Sequence, residues 1–434
     1  MSKISVGCLS GPFAATPLRS RLLRFRATRA LWVALGGAAL LSTASSFAAQ
    51  TNWVQTYLGA GHTSYNSAET TLSKSNIADV QMLWGQRVAG GVTSFALDAG
   101  TIFAQGQGSS TPNLVAINAA SGETLWTITT GNDGFGLTNS IAAGGGRVFA
   151  GCGFAGGVGG ICAYNQKNGK LLWSYTNSCS CLPESEIYAP LVYADGVVYF
   201  GYGYGGAGGG EYIVAANETS GDVLWTFSTG SSNTLGSAAP AVGNGMIYFT
   251  CGGKVGGSDS FSGVCAVSKT TQELVWAADF GTGTMGLTLG GDVLYVNAGS
   301  IGEFAALNAT TGATLWTAAG NSSAFPVSIA NNILYATGSD GYVHRLRAQN
   351  GTEIWSLNLA SETSVSVANG VLYDDQQGSN NPATAAYATS DGSLLWSTPL
   401  PASTLHPPPL IANGILYVTN ASCGNVCAYG LPEL

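Results

Sequence analysis

The chain has 434 residues, of which only 9% are charged, with 15 Lys plus Arg against 23 Asp plus Glu and a formal net charge of −8. The first 48 residues hold six of the fifteen basic residues and no acidic one, so the remainder carries a net charge of −14. A surface that negative repels phosphate backbones, which sets nucleic acid aside as a partner, and its polarity must come from Ser, Thr, Asn, Gln and Gly.

Residues 1–48 read as a cleaved secretory signal. Arg19, Arg21, Arg24, Arg26 and Arg29 precede an apolar run from Ala30 to Leu41, and Ser46, Phe47 and Ala48 close the segment. No paired arginines precede the run, which disfavours twin-arginine export, and Cys8 lies upstream of it, which disfavours lipoprotein processing. The run is short for a membrane span, and no later stretch approaches about 18 consecutive apolar residues. The expectation is a periplasmic or secreted protein, soluble, monomeric and without a membrane span. It divides into the signal at 1–48, a lead-in at 49–79 and one domain at 80–434.

Beyond the lead-in, two motifs alternate, eight times each. The first is an apolar alternating run, a small-residue turn and a second run ending on Trp, clearest from Val115 through Gly122 to Trp126. It recurs from Ala163 to Trp173, Ala215 to Trp225 and Ala306 to Trp316, and in looser form from Ala266 to Trp276, Arg345 to Trp355 and Ala386 to Trp396. Trp84 completes the series. The second motif is a turn, two apolar residues and an aromatic: Phe103, Phe149, Tyr199, Tyr248, Tyr295, Tyr335, Tyr373 and Tyr417. Its turns include Asp195-Gly196, Asn244-Gly245, Asn369-Gly370 and Asn413-Gly414, dipeptides that suit two-residue hairpins because both positions tolerate positive φ.

Each unit is therefore four strands, and a period of about 40 to 50 residues of this kind is that of a β-propeller blade. The last unit, from Pro409 to Tyr429, stops without a Trp strand, while an unpaired Trp strand lies at Val80 to Arg87. The predicted fold is all-β, an eight-bladed β-propeller of four-stranded antiparallel blades, closed by the N-terminal strand joining the C-terminal blade. Closure removes the open edges. The eight tryptophans Trp84, Trp126, Trp173, Trp225, Trp276, Trp316, Trp355 and Trp396 are expected to dock between neighbouring blades.

Once Cys8 leaves with the signal, eight cysteines remain, an even number in an oxidising compartment. Cys162, Cys265 and Cys427 occupy one position of the third strand, just before Ala163, Ala266 and Ala428. Cys152, Cys251 and Cys423 end or follow the second strand of the same blades. These places predict three hairpin-bridging disulfides, Cys152 with Cys162, Cys251 with Cys265 and Cys423 with Cys427.

With strands lettered A to D from the axis outward, the A-to-B and C-to-D turns are tight, whereas the B-to-C and D-to-A loops vary. Those two loop sets share one face, where a site is expected. The Gly-rich loops from Gly153, Gly203 and Gly252 lack the following helix that a phosphate cradle needs, and read as hairpin loops. Cys179 and Cys181, with Pro183, Glu184 and Glu186 after them, form a strained disulfide, a metal site or a redox switch, or an ordinary loop staple. His62, His344 and His406 are scattered without partners at metal-ligand spacing. Asp374 and Asp375 offer paired carboxylates for a cation, or a solvated B-to-C loop. Asp133, Glu184, Glu186, Asp259 and Asp279 are too dispersed to define a site, and no nucleophile elbow is present.

The pattern Ala-x-Asn-x-x-small-Gly-x-x-x-Trp at Ala116 to Trp126 and Ala306 to Trp316 resembles the tryptophan-docking repeat of the PQQ-binding-like propeller family. That family includes the quinoprotein alcohol dehydrogenases and the outer-membrane assembly lipoproteins. Trp53, the run Gly61 to Tyr65 and Ile77 to Trp84 resemble the lead-in of the quinoproteins. For the enzymes, the resemblance implies PQQ, a calcium ion held by Glu, Asn and Asp, a catalytic Asp and a pair of adjacent cysteines. This chain has no adjacent cysteines, so no catalytic, cofactor or metal residue is carried over. For the scaffolds, the resemblance implies a lipid-bearing cysteine where this chain has Ala48. The expected function is a non-enzymatic binding module for a protein, peptide or glycan on the loop face. The alternative is a PQQ- and calcium-dependent dehydrogenase of alcohols or sugars.

Overall fold

The alternation of apolar and small residues in each repeat becomes a four-stranded antiparallel sheet, and eight such sheets form the described part of the chain. The computed structural model describes residues 52–432 apart from 107–111, 132–139, 155–157, 177–184, 205–210, 231–238, 254–260, 282–284, 299–301, 321–324, 361–363, 377–382 and 400–406. Blades 1 to 7 are continuous in sequence, at 92–128, 141–176, 185–228, 241–279, 285–319, 328–358 and 366–399. Blade 8 takes strands A to C from Leu410–Ala412, Ile415–Asn420 and Asn425–Gly430, and strand D from Gln81–Arg87. Met82 lies opposite Tyr429 and Gln86 opposite Val426, so the N-terminal strand closes the ring by backbone hydrogen bonds.

Turn chemistry sets the register. Asp195, Asn244, Asn369 and Asn413 have φ of 52, 52, 43 and 56°, and the glycines that follow have φ of 79, 75, 78 and 77°. Two successive positive φ values make the tight hairpin whose twist matches that of the strands it joins. The strand B aromatic then faces the tryptophan of its own blade, as for Phe103 with Trp126 and Phe149 with Trp173, each 5.9 Å between centroids.

Blades are fastened by those tryptophans. The indole N–H donates to a backbone carbonyl of the next blade from Trp84 to Ala119 (3.2 Å), Trp126 to Gln166 (3.0 Å), Trp173 to Glu218 (2.8 Å), Trp276 to Ala309 (2.9 Å) and Trp316 to Ala348 (2.9 Å). Under each of these five indoles sits a glycine of the next blade's C-to-D turn. A Cβ at Gly221 would lie 2.7 Å from the Trp173 ring, so the docked ring needs a residue without one.

The lead-in runs once around the inside of the ring. The penultimate residue of strand A meets it in every blade. Leu97 of blade 1 exchanges two hydrogen bonds with Trp53, both 2.8 Å. Ala143 donates to Val54 (2.7 Å), Val242 to Ala60 (2.7 Å), Leu289 to Gly61 (2.8 Å), Ile329 to Thr63 (3.0 Å) and Val367 to Ser64 (2.9 Å). In blade 3 the Tyr193 amide donates to Gln55 Oε1 (2.9 Å), and in blade 8 the Asn66 side chain donates to the Ile411 carbonyl (2.8 Å). Left-handed φ values at Tyr57, Leu58, His62 and Ser64 let the segment bend this tightly. Glu69 ends the belt, taking amides of Thr71 and Leu72 on Oε1 and the Gly414 amide of blade 8 on Oε2.

Gly146 and Gly221 separate backbone from docking effects, since both have positive φ (76 and 75°) but a Cβ at Gly146 would meet nothing within 4 Å. Gly146→Ala is expected to cost about 1 kcal/mol, and Gly221→Ala at least about twice that. Chemical denaturation of the two variants checks the difference.

Candidate functional site

The centre of the ring is filled by side chains of the belt itself. The Thr56 hydroxyl lies 2.9 Å from that of Ser94 on blade 1, and His62 Nδ1 lies 3.3 Å from the Leu287 carbonyl of blade 5. The Tyr57 phenol lies near the Ser364 hydroxyl on the inner side of blade 7. Tyr57 and His62 meet edge to face at 5.5 Å. These approaches to blades 1, 5 and 7 come from different sides of the ring. Burial holds His62 down at about 4 and pushes Tyr57 up to about 12, which keeps both neutral across the physiological range.

The channel wall is made of small, hydroxyl-bearing and apolar residues, and five of its hydroxyls bond between blades. Ser94 accepts the Ile141 amide (3.1 Å), and Ser140 accepts the Leu191 amide (3.1 Å). Thr288 donates to the Val327 carbonyl (2.7 Å), Ser364 to Pro326 (2.8 Å) and Ser328 to Val365. Each bond joins strand A, or the residues just before it, of one blade to those of a neighbouring blade. They rigidify the wall, in which Ser366 Oγ of blade 7 is buried without a hydrogen-bond partner.

On the loop face, disulfides join Cys152 to Cys162, Cys251 to Cys265 and Cys423 to Cys427, with Cα separations of 5.8, 5.9 and 6.0 Å. The first two brace the roots of the B-to-C connections in blades 2 and 4. Cys179, Cys181, Asp133, Glu184, Asp259 and His406 lie outside the described residues. Glu186 falls in strand A of blade 3, Ser185–Ala194. Asp279 is spent on a turn, where it accepts the amides of Ser262 (3.3 Å) and Gly281 (3.0 Å).

Asp374 and Asp375 are not in a solvated loop, the setting weighed for them above; both are fully buried in strand B of blade 7, Val371–Gln376. Strand B continues past Tyr373 as it continues past the aromatic in other blades, and carries them inward. Adjacent strand residues face opposite ways, so the two carboxylates cannot close on one cation. Thr384 donates to Asp375 Oδ1 at 2.6 Å, and Gln376 donates to the Tyr387 hydroxyl. Burial pushes the Asp375 carboxyl up to about 8, opposed by the Thr384 bond and helped by Asp374.

His344 sits between two carboxylates, with Nδ1 2.8 Å from Glu353 Oε2 and Nε2 3.6 Å from Asp340 Oδ2. The carboxylates flank opposite edges of the ring, with a hydrogen bond on the Glu353 side alone, so the three groups do not make a chelate. Among the described residues no group of three His, Cys, Asp or Glu side chains could hold a metal ion. Among them, too, no helix is long and apolar enough to cross a membrane. The belt's part in filling the channel was hidden in the sequence, although its Gly61 to Tyr65 run was visible as a distinct lead-in.

The family model described as "Outer membrane protein assembly factor BamB" matches residues 64–250, 209–374 and 339–430. Among solved structures, the fold is similar to that of quinohemoprotein alcohol dehydrogenase from Comamonas testosteroni, with a TM-score of 0.70 and 12% identity over 88% of this chain and 82% of that one. It is also similar to BamB from Moraxella catarrhalis, with a TM-score of 0.60 and 16% identity over 81% of this chain and 99% of that one. No curated protein sequence matches the chain. At such identities the structural likeness shows the fold alone.

The Asp375 carboxyl keeps its proton in the fold up to about pH 8, whereas its usual value is 3.8. The stability it lends is complete below the unfolded value and is lost as pH rises through the folded one. Asp375→Asn, neutral throughout, is expected to lose less stability than the wild type between pH 5 and pH 8. Urea midpoints at the two pH values measure this, and equal losses would mean the carboxyl is already ionised in the fold.

Proposed function

The chain belongs to the BamB-type family of PQQ-like propellers, and from that membership we propose that it is an exported binding or scaffold module. Its working surface is the B-to-C and D-to-A loop face, and its partner is a protein, peptide or glycan. The observation that carries this reading is the family match itself, whose three segments together run from residue 64 to 430 and whose model is described as an outer membrane protein assembly factor. Braced hairpins at Cys152–Cys162 and Cys251–Cys265 support it, because they give the loop face rigid roots and suit an oxidising compartment.

The alternative is a PQQ- and calcium-dependent dehydrogenase. A flat quinone bearing three carboxylates needs open space near the axis, cationic or donor groups facing it, and carboxylates for the metal. The described residues do not fit that group. Among those residues no group of three His, Cys, Asp or Glu side chains could hold the metal, and the hydroxyls of Ser94, Ser140 and Thr288 are already bonded between blades. Asp374 and Asp375 lie in strand B of blade 7, behind strand A. The fold is shared with dehydrogenases, but fold alone does not carry their chemistry.

Calorimetric titration of the exported chain with PQQ, with and without Ca²⁺, is expected to show no saturable binding. Calcium-dependent binding near one per chain would overturn the module reading. In parallel, photocrosslinkers placed at Ser262, where strand C of blade 4 begins on the loop side, and at Asn168, in a C-to-D turn of blade 2, are expected to trap a partner at Ser262 alone. Adducts at Asn168 instead would move the working surface to the opposite face.

A further inference from the structure

The three disulfides hold similar places in the repeat, but their surroundings differ. Cys152, Cys162, Cys251, Cys265 and Cys427 are at most 3% exposed, whereas Cys423 is only partly buried and Ser422 beside it is exposed. The first two bonds join residues of facing strands. Cys423 instead lies in a short turn, Ala421–Cys423, that follows strand B of blade 8. Its ring is also the smallest, with a sequence separation of 4 against 10 and 14, so it constrains the unfolded chain least and its loss costs the fold least.

That turn lies against the strand that closes the ring. Gly85 is paired with Cys427, and a Cβ at Gly85 would lie 2.8 Å from the Cys423 Cβ. The Val88 amide donates to the Gly424 carbonyl (3.1 Å), and the Asn425 side chain donates to the Val88 carbonyl. On the other side, the Asn420 side chain donates to the Pro399 carbonyl of blade 7 (2.9 Å). Residues 420–425 therefore form a clasp between blade 7 and the N-terminal strand, shut by one disulfide. Within it Asn425 has a φ of 113°, a region that strains any residue with a Cβ. The Asn420 carbonyl lies 3.2 Å from Cys423 Sγ and 3.7 Å from Cys427 Sγ. Two thiols formed there would find an acceptor already in place, with a lone pair for each.

We propose that the Cys423–Cys427 disulfide is an exchange site for a dithiol, attacked at the Cys423 sulfur, and that its state sets how firmly Gln81–Arg87 closes the ring. Exchange needs a sulfur that a thiolate can reach, and among the six bonded cysteines Cys423 alone is open to solvent. One thiolate of the dithiol bonds to Cys423 Sγ as the Cys423–Cys427 bond breaks, and Cys427 leaves as a thiolate and takes a proton. The second thiolate of the dithiol then displaces Cys423, which takes a proton in turn. The protein's disulfide has gained two electrons and two protons, and the dithiol has become a disulfide. With the bond open, the strain at Asn425 is free to relax, and the closing strand loses the support of the clasp at Gly85 and Val88.

Titration of the native exported chain with dithiothreitol, quenched with iodoacetamide and read by peptide mapping, tests the site. Cys423 and Cys427 are expected to be alkylated at least about tenfold faster than Cys152, Cys162, Cys251 and Cys265. Opening of either buried disulfide at the same rate would overturn the exchange site. Hydrogen exchange on the same samples tests the closure. Protected amides of Gln81–Arg87 are expected to exchange about tenfold faster once Cys423–Cys427 is open, while those of Thr124–Ile128, the outer strand of blade 1, keep their rate. Unchanged exchange at Gln81–Arg87, or an equal rise in both strands, would overturn the control of closure.

Discussion

Eight sheets arranged around an axis present eight inner strands to it, each with backbone donors that no neighbouring strand can take. An unpaired amide buried at the centre of a protein costs about 1–3 kcal/mol, and a ring of them would be prohibitive. The lead-in meets this constraint by running past every blade in order and bonding to the penultimate residue of each strand A. Tyr57 and His62 then project into the space the belt encloses. The same segment satisfies the inner edges and fills the core of the ring, while Gln81–Arg87 beyond it completes blade 8.

The second constraint is the fit between blades. An indole seated on a glycine, with its N–H on a carbonyl of the next blade, fixes both the spacing and the angle of neighbouring sheets. Ala in strand C keeps the path between strand B aromatic and indole clear. Because one geometry is repeated, the blade 6 position where Arg345 replaces the Ala of the other blades stands out against it.

These two constraints bear on function. The lead-in bonds to every blade, and the hydroxyls of Ser94, Ser140, Thr288, Ser328 and Ser364 are already bonded between blades. Variation is left to the connections on one face, where two disulfides brace the hairpins that carry the longer loops. The same architecture supports oxidation chemistry in some relatives and assembly in others, so the difference must lie in what each chain places at the axis and on that face.

Much of this was legible in the sequence, because a period-two strand pattern, a turn dipeptide and a returning Trp are local signals repeated eight times. Trp126 with Gly122 and Asn413 with Gly414 announce strand, turn and dock without reference to anything distant in the chain. The blade count and the closing role of Gln81–Arg87 follow from counting those signals. What the sequence could not decide was any contact between residues far apart in the chain. Nothing local says that Tyr57 meets Ser364, that Asp374 and Asp375 are buried on opposite faces of one strand, or that the lead-in bonds to all eight blades. The repeat determined the blades and their number; the closed ring alone decided what fills the axis and where charge lies between blades, because burial and long-range pairing exist only once the ring has closed.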